Sequence, residues 1–163
     1  NSSQMYQRIL TSLRYDDNPD YQPRFNYRMT DISAAIGNIQ ITKLPEFIKR
    51  RRQIANSYRL VLRDQNHLKC WPPVDDPDLN HYRFLLEFRS MHERERAQKK
   101  LRGRGIASII PITKRQLIHR MLGDSFGDFP RPDHLANTLL SIPIYPKLTD
   151  QEVETISSAL KEL

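Results

Sequence analysis

RFNYRMTDISAAIGNIQITKLPEFIKRRRQIANSY, residues Arg24 to Tyr58, is the stretch on which the fold turns. It opens with an asparagine between two aromatic residues, Phe25-Asn26-Tyr27, followed by Arg28. Thr30 stands where a helix N-cap belongs, and Asp31 is well placed against the positive end of a helix. Ile32, Ala35, Ile36 and Ile39 then recur at i, i+3, i+4 and i+7, which predicts one buried helix face. Gly37 costs about 1 kcal/mol relative to Ala inside a helix, a cost best explained by close approach of another backbone, the alternative being a tolerated accident. The same periodicity resumes in Leu44, Phe47, Ile48, Ile54, Ala55, Tyr58 and Leu62. Between the two runs lies Pro45. One straight helix from Asp31 to Asp64 would be about 50 Å long at ~1.5 Å per residue. A compact domain of this length has a diameter of only roughly 40 Å. Pro is disfavoured in a helix interior and welcome at the first helical position. A break or sharp kink at Lys43–Pro45, giving two helices, is therefore predicted. Lys49-Arg50-Arg51-Arg52 falls within the second of them and covers its whole circumference, so at least one stem must lie near the buried side.

Outward from this stretch the signals are shorter. Residues 1–13 carry an apolar scatter (Met5, Ile9, Leu10, Leu13) compatible with a helical turn or two. Tyr15 to Pro23, rich in Asp, Asn and Pro, reads as loop. Cys70 to Leu79 reads as a proline-rich connection. Tyr82, Phe84, Leu86 and Phe88 alternate with Arg83, Leu85 and Glu87, the pattern of a half-buried strand. Ser90-Met91-His92-Glu93 is a capping box opening a helix to about Arg102, with Gly103 or Gly105 to end it. Ile106–Ile110 reads as a strand stopped by Pro111, and Thr113–Leu122 is ambiguous. Gly123–Pro132 reads as loop, Asp133–Leu140 as a short helix and Ser141–Tyr145 as a brief strand. Thr149-Asp150-Gln151-Glu152 is a second capping box, and Val153, Ile156, Leu160 and Leu163 mark a final amphipathic helix. The fold class expected is α/β (α+β): long N-terminal helices, then a small, mainly antiparallel sheet with helices packed against it.

Composition bounds the function. The 163 residues are enough for one domain with a real core, and 38% hydrophobic with 28% charged residues is not a disordered composition. A net charge of +7 invites nucleic acid, anionic membrane or phosphate-bearing partners, although bases and acids interleave over most of the chain. Cys70 is alone, which excludes a disulfide framework and a cysteine metal site. No apolar run approaches the ~20 residues that span a bilayer. The chain opens Asn-Ser-Ser rather than Met and carries no secretory signal, so a fragment of a cytoplasmic protein is expected.

No self-contained catalytic machine is visible. His67, His81, His92, His119 and His134 show no metal-site spacing and read as surface or internally satisfied histidines. A nucleophile elbow, a P-loop and a dinucleotide fingerprint are all missing from the sequence. Arg102-Gly103-Arg104-Gly105 is better read as a helix end than as an RG segment. Asp16/Asp17 and Asp75/Asp76 are adjacent in loops with no sign that they converge. No residue of this chain is therefore assigned a catalytic or a metal-binding role.

The run Asn26-Tyr27-Arg28-Met29-Thr30-Asp31-Ile32, with Ala34-Ala35-Ile36-Gly37, Gln40, Lys43-Leu44-Pro45-Glu46 and Arg50-Arg51-Arg52, resembles a known signature. It is similar to the start of the C-terminal domain of pyridoxal-phosphate (PLP)-dependent sugar aminotransferases of the DegT/DnrJ type, fold-type I enzymes. Arg104-Gly105-Ile106 and Ser141-Ile142-Pro143-Ile144-Tyr145-Pro146-Lys147-Leu148-Thr149 resemble later segments of that domain, in the same order. The resemblance implies residues 1–29 as an interdomain segment facing the active site and 30–163 as the small domain. The large PLP-binding domain, with its Schiff-base lysine, is expected to be absent from the chain. None of Lys43, Lys49, Lys69, Lys99, Lys100, Lys114, Lys147 or Lys161 stands at that lysine's place.

By the same resemblance, Asn26 would cross a homodimer interface and bind the phosphate of the neighbouring subunit's PLP, with Tyr27 and Arg28 near the substrate. Neutral and cationic donors on a firmly mounted loop suit a phosphate. The implied parent is a homodimeric aminotransferase moving an amino group from an amino acid such as glutamate to a keto-sugar nucleotide. No tight cofactor binding by this chain alone is expected. Arg24-Phe25 stand where the family usually has glycine or small residues, and Ile109-Ile110-Pro111-Ile112 where many members carry a polar pair. Two other readings remain: a non-catalytic interaction or assembly domain derived from this family, and a basic nucleic-acid-binding domain that charge supports and no motif does.

Overall fold

The computed structural model of the chain describes residues 2–13, 23, 28–72, 79–123 and 129–163. Two units share the chain, Asn1–Leu44 and Pro45–Leu163.

The first unit holds helix α1, Ser3–Leu13, and the opening half of helix α2, Asp31–Leu62. Helix α1 extends through all of residues 3–13, more than the turn or two expected, and buries none of its side chains. The cap of α2 is as its sequence predicts: Thr30 Oγ1 accepts from the Ser33 N–H at 3.2 Å, and Asp31 lies in the first turn. The apolar stripe behind it is not buried. Ile32, Ile36 and Ile39 are 76%, 57% and 56% exposed, and Ala35 is exposed too. Periodicity reports that a helix has an apolar face, not that the same chain covers it. Gly37 likewise has nothing among the described residues within 4 Å of where a Cβ would sit, so no backbone approach among them explains it.

The expected break at Lys43–Pro45 does not occur, because α2 runs through Pro45 as one helix. The length argument assumed that one core encloses both halves. Residues 38–46 are all exposed, so that limit does not apply to this part of the helix.

The second unit is built on a three-stranded antiparallel sheet in the order β1 (Lys69–Trp71), β2 (Phe84–Glu87), β3 (Leu139–Ile142). Strand β1 overlaps the start of the segment read as a connection, whose prolines follow it rather than occupy it. The register pairs Phe84 with Ile142 and Leu86 with Leu140, and all four are buried. Their neighbours in the core are Ile54, Ala55, Tyr58 and Leu62 of α2, Leu101 of helix α3 (Met91–Gly103), and Val153, Ile156 and Leu160 of helix α6 (Asp150–Lys161). The α2 residues repeat every three or four positions, as a helix lying along one core requires. Of the predicted strand face, Phe84, Leu86 and Phe88 are buried, while Tyr82 is 67% exposed because β2 starts after it.

Capping follows the sequence closely. Ser90 Oγ accepts from the Glu93 N–H at 3.2 Å, but the Glu93 carboxylate takes the Arg89 N–H instead of the Ser90 one. At α6 the capping box is complete, with Thr149 and Glu152 exchanging both bonds. The strand expected at Ile106–Ile110 shrinks to a single bridge between Ile109 and Ser141, since Pro111 has no N–H to continue a ladder. A 3₁₀ turn, Lys114–Gln116, and helix α4, Ile118–Leu122, settle the ambiguous segment as helical. Helix α5 spans Pro130–Thr138, starting inside the predicted loop with proline in its first turn. It ends before Leu139-Leu140, which pair with Glu87 and Leu86 across the sheet instead of prolonging the helix.

Candidate functional site

Asn26 and Tyr27 lie outside the described residues, as do Arg24 and Phe25. So do residues 14–22, 73–78 and 124–128, on which most of the predicted loops and the pairs Asp16/Asp17 and Asp75/Asp76 fall. Arg28 is described: it is exposed and precedes the Thr30 cap by two positions. The cap fixes the start of α2, and the Thr30 hydroxyl also reaches Ser33 Oγ at 3.0 Å. The resemblance-derived site is therefore represented in the structure by Arg28 alone, on a segment leading into a capped helix.

A cofactor held through a lysine needs an amine in an enclosed pocket, where desolvation lowers its pKa. Lys43, Lys49, Lys69, Lys99, Lys100, Lys114, Lys147 and Lys161 are all exposed. The residues described do not fit a covalently held pyridoxal group. Among the described residues, no group of His, Cys, Asp or Glu side chains converges to hold a metal ion.

Two carboxylate hubs are what the tertiary structure adds. Glu87 is 5% exposed and accepts from Trp71 Nε1 at 2.8 Å and from both terminal nitrogens of Arg131 at 3.0 and 3.3 Å. His134 Nε2 lies 3.4 Å from the same carboxylate. Burial alone pushes the Glu87 carboxyl up, but the hydrogen bonds from Trp71 and Arg131, with the charges of Arg131 and Lys69, outweigh it and leave it below the ordinary range. The second hub is Asp133 on α5. Arg120 donates to it from Nε at 3.2 Å and from its terminal nitrogen at 2.7 Å, and His119 Nε2 lies 3.4 Å away. The Arg120 hydrogen bond holds the Asp133 carboxyl down against its partial burial, with His119 adding to the effect.

Both hubs fasten α5: Arg131 ties it to β2, and Asp133 ties it to α4. Sequence reading found neither, because the partners are 44 and 13 positions apart. The strand alternation put Glu87 on the face opposite Phe84, Leu86 and Phe88, and the structure buries it there. Of the predicted basic run, Arg50 donates to the Leu148 carbonyl at 2.6 Å and pairs with Asp150 at 2.7 Å. Arg52 donates to the Leu79 carbonyl at 3.1 Å. Arg50 and Arg52 thus bond to carbonyls of the second unit instead of reaching only into solvent.

A family model described as the DegT/DnrJ/EryC1/StrS aminotransferase family matches residues 5–161. The chain belongs to that family. Among curated relatives, a dTDP-4-dehydro-2,3,6-trideoxy-D-glucose 4-aminotransferase of Saccharopolyspora spinosa is 27% identical over 132 residues, covering 81% of this chain and 34% of the relative. The aminotransferase TlmJ of Streptoalloteichus hindustanus superposes with a TM-score of 0.71 at 25% identity, over 88% of this chain and 39% of that one. Spr1654 of Streptococcus pneumoniae in its PLP form gives a TM-score of 0.76 at 22% identity, over 98% of this chain and 43% of that one. This DegT/DnrJ-family chain thus spans about a third to two fifths of the length of these relatives. Its fold is that of the small C-terminal domain of PLP-dependent transferases, and its relatives include sugar aminotransferases. No helix among the described residues is long and apolar enough to cross a membrane.

Proposed function

We propose that this chain is the small domain of a cytoplasmic, homodimeric aminotransferase that moves an amino group from an amino acid such as glutamate onto a keto-sugar nucleotide. The observation that carries this reading is the family match over residues 5–161 of a chain that covers 34% of a sugar aminotransferase. In this reading residues 30–163 form the small domain and 1–29 the segment that faces the active site. Asn26 binds the cofactor phosphate of the neighbouring subunit, and Tyr27 and Arg28 lie beside the substrate. The remaining part of the parent supplies the cofactor lysine, so the chain alone is inactive. The exposure of every lysine here supports that division of labour.

The test uses the parent protein whole. Purified with PLP, it should absorb in the visible, lose that band on borohydride reduction, and form glutamate-dependent amino-sugar nucleotide. Asn26→Ala should weaken cofactor retention by about tenfold, the worth of one charge-assisted hydrogen bond. A parent that neither binds PLP nor aminates nucleotide-linked keto-sugars would leave this fold as an assembly module.

A further inference from the structure

The side of the sheet where β2 begins carries a feature that the aminotransferase reading does not use. Arg51, Tyr82, Arg83, Ile109, Ser141 and Tyr145 line an open cleft of about 410 Å³. Arg51 comes from α2 and Arg83 immediately precedes β2, so two separate parts of the chain each bring an arginine to the lining of one cleft. No carboxylate stands among the lining residues. Arg51 Nε is buried and has no hydrogen-bond partner among the described residues. Arg83 is committed only weakly, to Ser141 Oγ at 3.5 Å, while its guanidinium lies 5.5 Å from the centre of the Tyr82 ring.

Several arginines elsewhere among the described residues have a carboxylate partner. Arg50 has Asp150, Arg104 has Glu162, Arg120 has Asp133 and Arg131 has Glu87. A buried donor without a partner is costly on a cation such as Arg51, and a second cation, Arg83, lines the same cleft with no carboxylate among the lining residues. We propose that this cleft is a binding site for a phosphoryl group, with Arg51 and Arg83 as its ligands and the Ser141 hydroxyl as an added donor. A phosphate dianion matches both charges, and its oxygens accept the paired N–H donors that each planar guanidinium presents. A carboxylate would answer only one of the two cations. Tyr82 and Tyr145 give the cleft aromatic sides, which suits a phosphate carried on a ring-bearing molecule. The assignment stands on this chain's own geometry and does not depend on the parent's reaction.

The test is an amide chemical-shift titration of the 163-residue chain with inorganic phosphate and with pyrophosphate, at constant ionic strength. Saturable shifts should cluster at Ala107, Ile109 and Ser141. Arg51→Gln and Arg83→Gln should each weaken binding by about tenfold or more, while Arg115→Gln, on the exposed 3₁₀ turn, should not change it. Arg51→Lys keeps the charge and the fold while removing the fork, and should recover only part of the affinity. Spectra of each variant confirm that it is folded before its affinity is read. Shifts that never saturate, that spread over the basic surface, or that survive both glutamine variants would overturn the proposal. Acetate binding as tightly as phosphate would overturn the phosphoryl assignment as well.

Discussion

Arg131 grips Glu87 with both terminal nitrogens, at 3.0 and 3.3 Å, joining the first turn of α5 to the last residue of β2. The carboxylate is buried while the guanidinium is 53% exposed, so the bond brings a solvated cation to a desolvated anion. Trp71 Nε1 completes the arrangement from β1. Removing Arg131 leaves Glu87 short of donors in a dry place, and Arg131→Ala should cost about 1–3 kcal/mol in a urea melt.

The pH dependence follows from the same group. The Glu87 carboxyl titrates lower in the folded chain than in the unfolded one, so the unfolded chain binds the proton first as pH falls. Its contribution is present above the ordinary glutamate pKa, about 4.3, and is lost as pH falls through the depressed folded value. Glu87→Gln removes that proton linkage. Wild type should therefore lose more stability than Glu87→Gln between neutral pH and the acid range, and parallel acid profiles would contradict the role given to Glu87.

Tyr58 is fully buried, meets Phe84 edge-to-face at 5.3 Å, and donates its hydroxyl to the Pro143 carbonyl at 2.9 Å. Burial, with the nearby Tyr145, raises its pKa well beyond the usual tyrosine value, so it stays a neutral donor at any working pH. Tyr58→Phe should cost about 1 kcal/mol, the net worth of one hydrogen bond, and Tyr58→Ala about 3–5 kcal/mol. Thermal melts of the two variants separate the hydroxyl from the ring.

Pro45 sits exposed inside α2 with no N–H to offer the carbonyl one turn back. Interior proline costs a helix roughly 3 kcal/mol against alanine. Pro45→Ala should therefore raise helical circular dichroism and make the chain more stable, by about 1 kcal/mol or more once the residual strain is discounted. A destabilised variant would mean that the proline sets a bend the fold needs.

The exposed and buried halves of α2 give a direct comparison. Ile36→Ala should change the stability of this chain by no more than about 0.5 kcal/mol, because the side chain touches water. Ile54→Ala, in the core, should cost about 2–5 kcal/mol. Equal effects would show that the apolar stripe of the first unit is covered after all.

Much of the local structure was legible. Thr30 and Thr149 announced their helices, since a cap is made by residues three positions apart. The alternation at Phe84, Leu86 and Phe88 announced its strand, and the spacing of Ile54, Tyr58 and Leu62 its buried helix face. The end of α5 was not legible, because Leu139-Leu140 suit a helix as well as a strand and only pairing with β2 decides between them. Of the candidate site, Arg28 was named from the sequence, while Glu87, Asp133 and the Arg51/Arg83 cleft were not. Each of those depends on residues that the chain brings together from far apart.

By itself, then, the sequence of Arg24–Tyr58 determined the Thr30 cap and the helix that follows it, and its likeness to one enzyme family. Those are properties of neighbouring residues, set by backbone sterics, capping and side-chain period. What only the tertiary structure decided is which side chains have partners. Ile32, Ile36 and Ile39 have the same apolar character as Ile54, yet only Ile54 is covered. Arg50 and Arg51 are adjacent cations, yet one meets Asp150 and the other faces a cleft that holds no carboxylate. Burial and charge pairing are long-range outcomes, fixed by where β2, β3 and α6 lie and not by the residues next door.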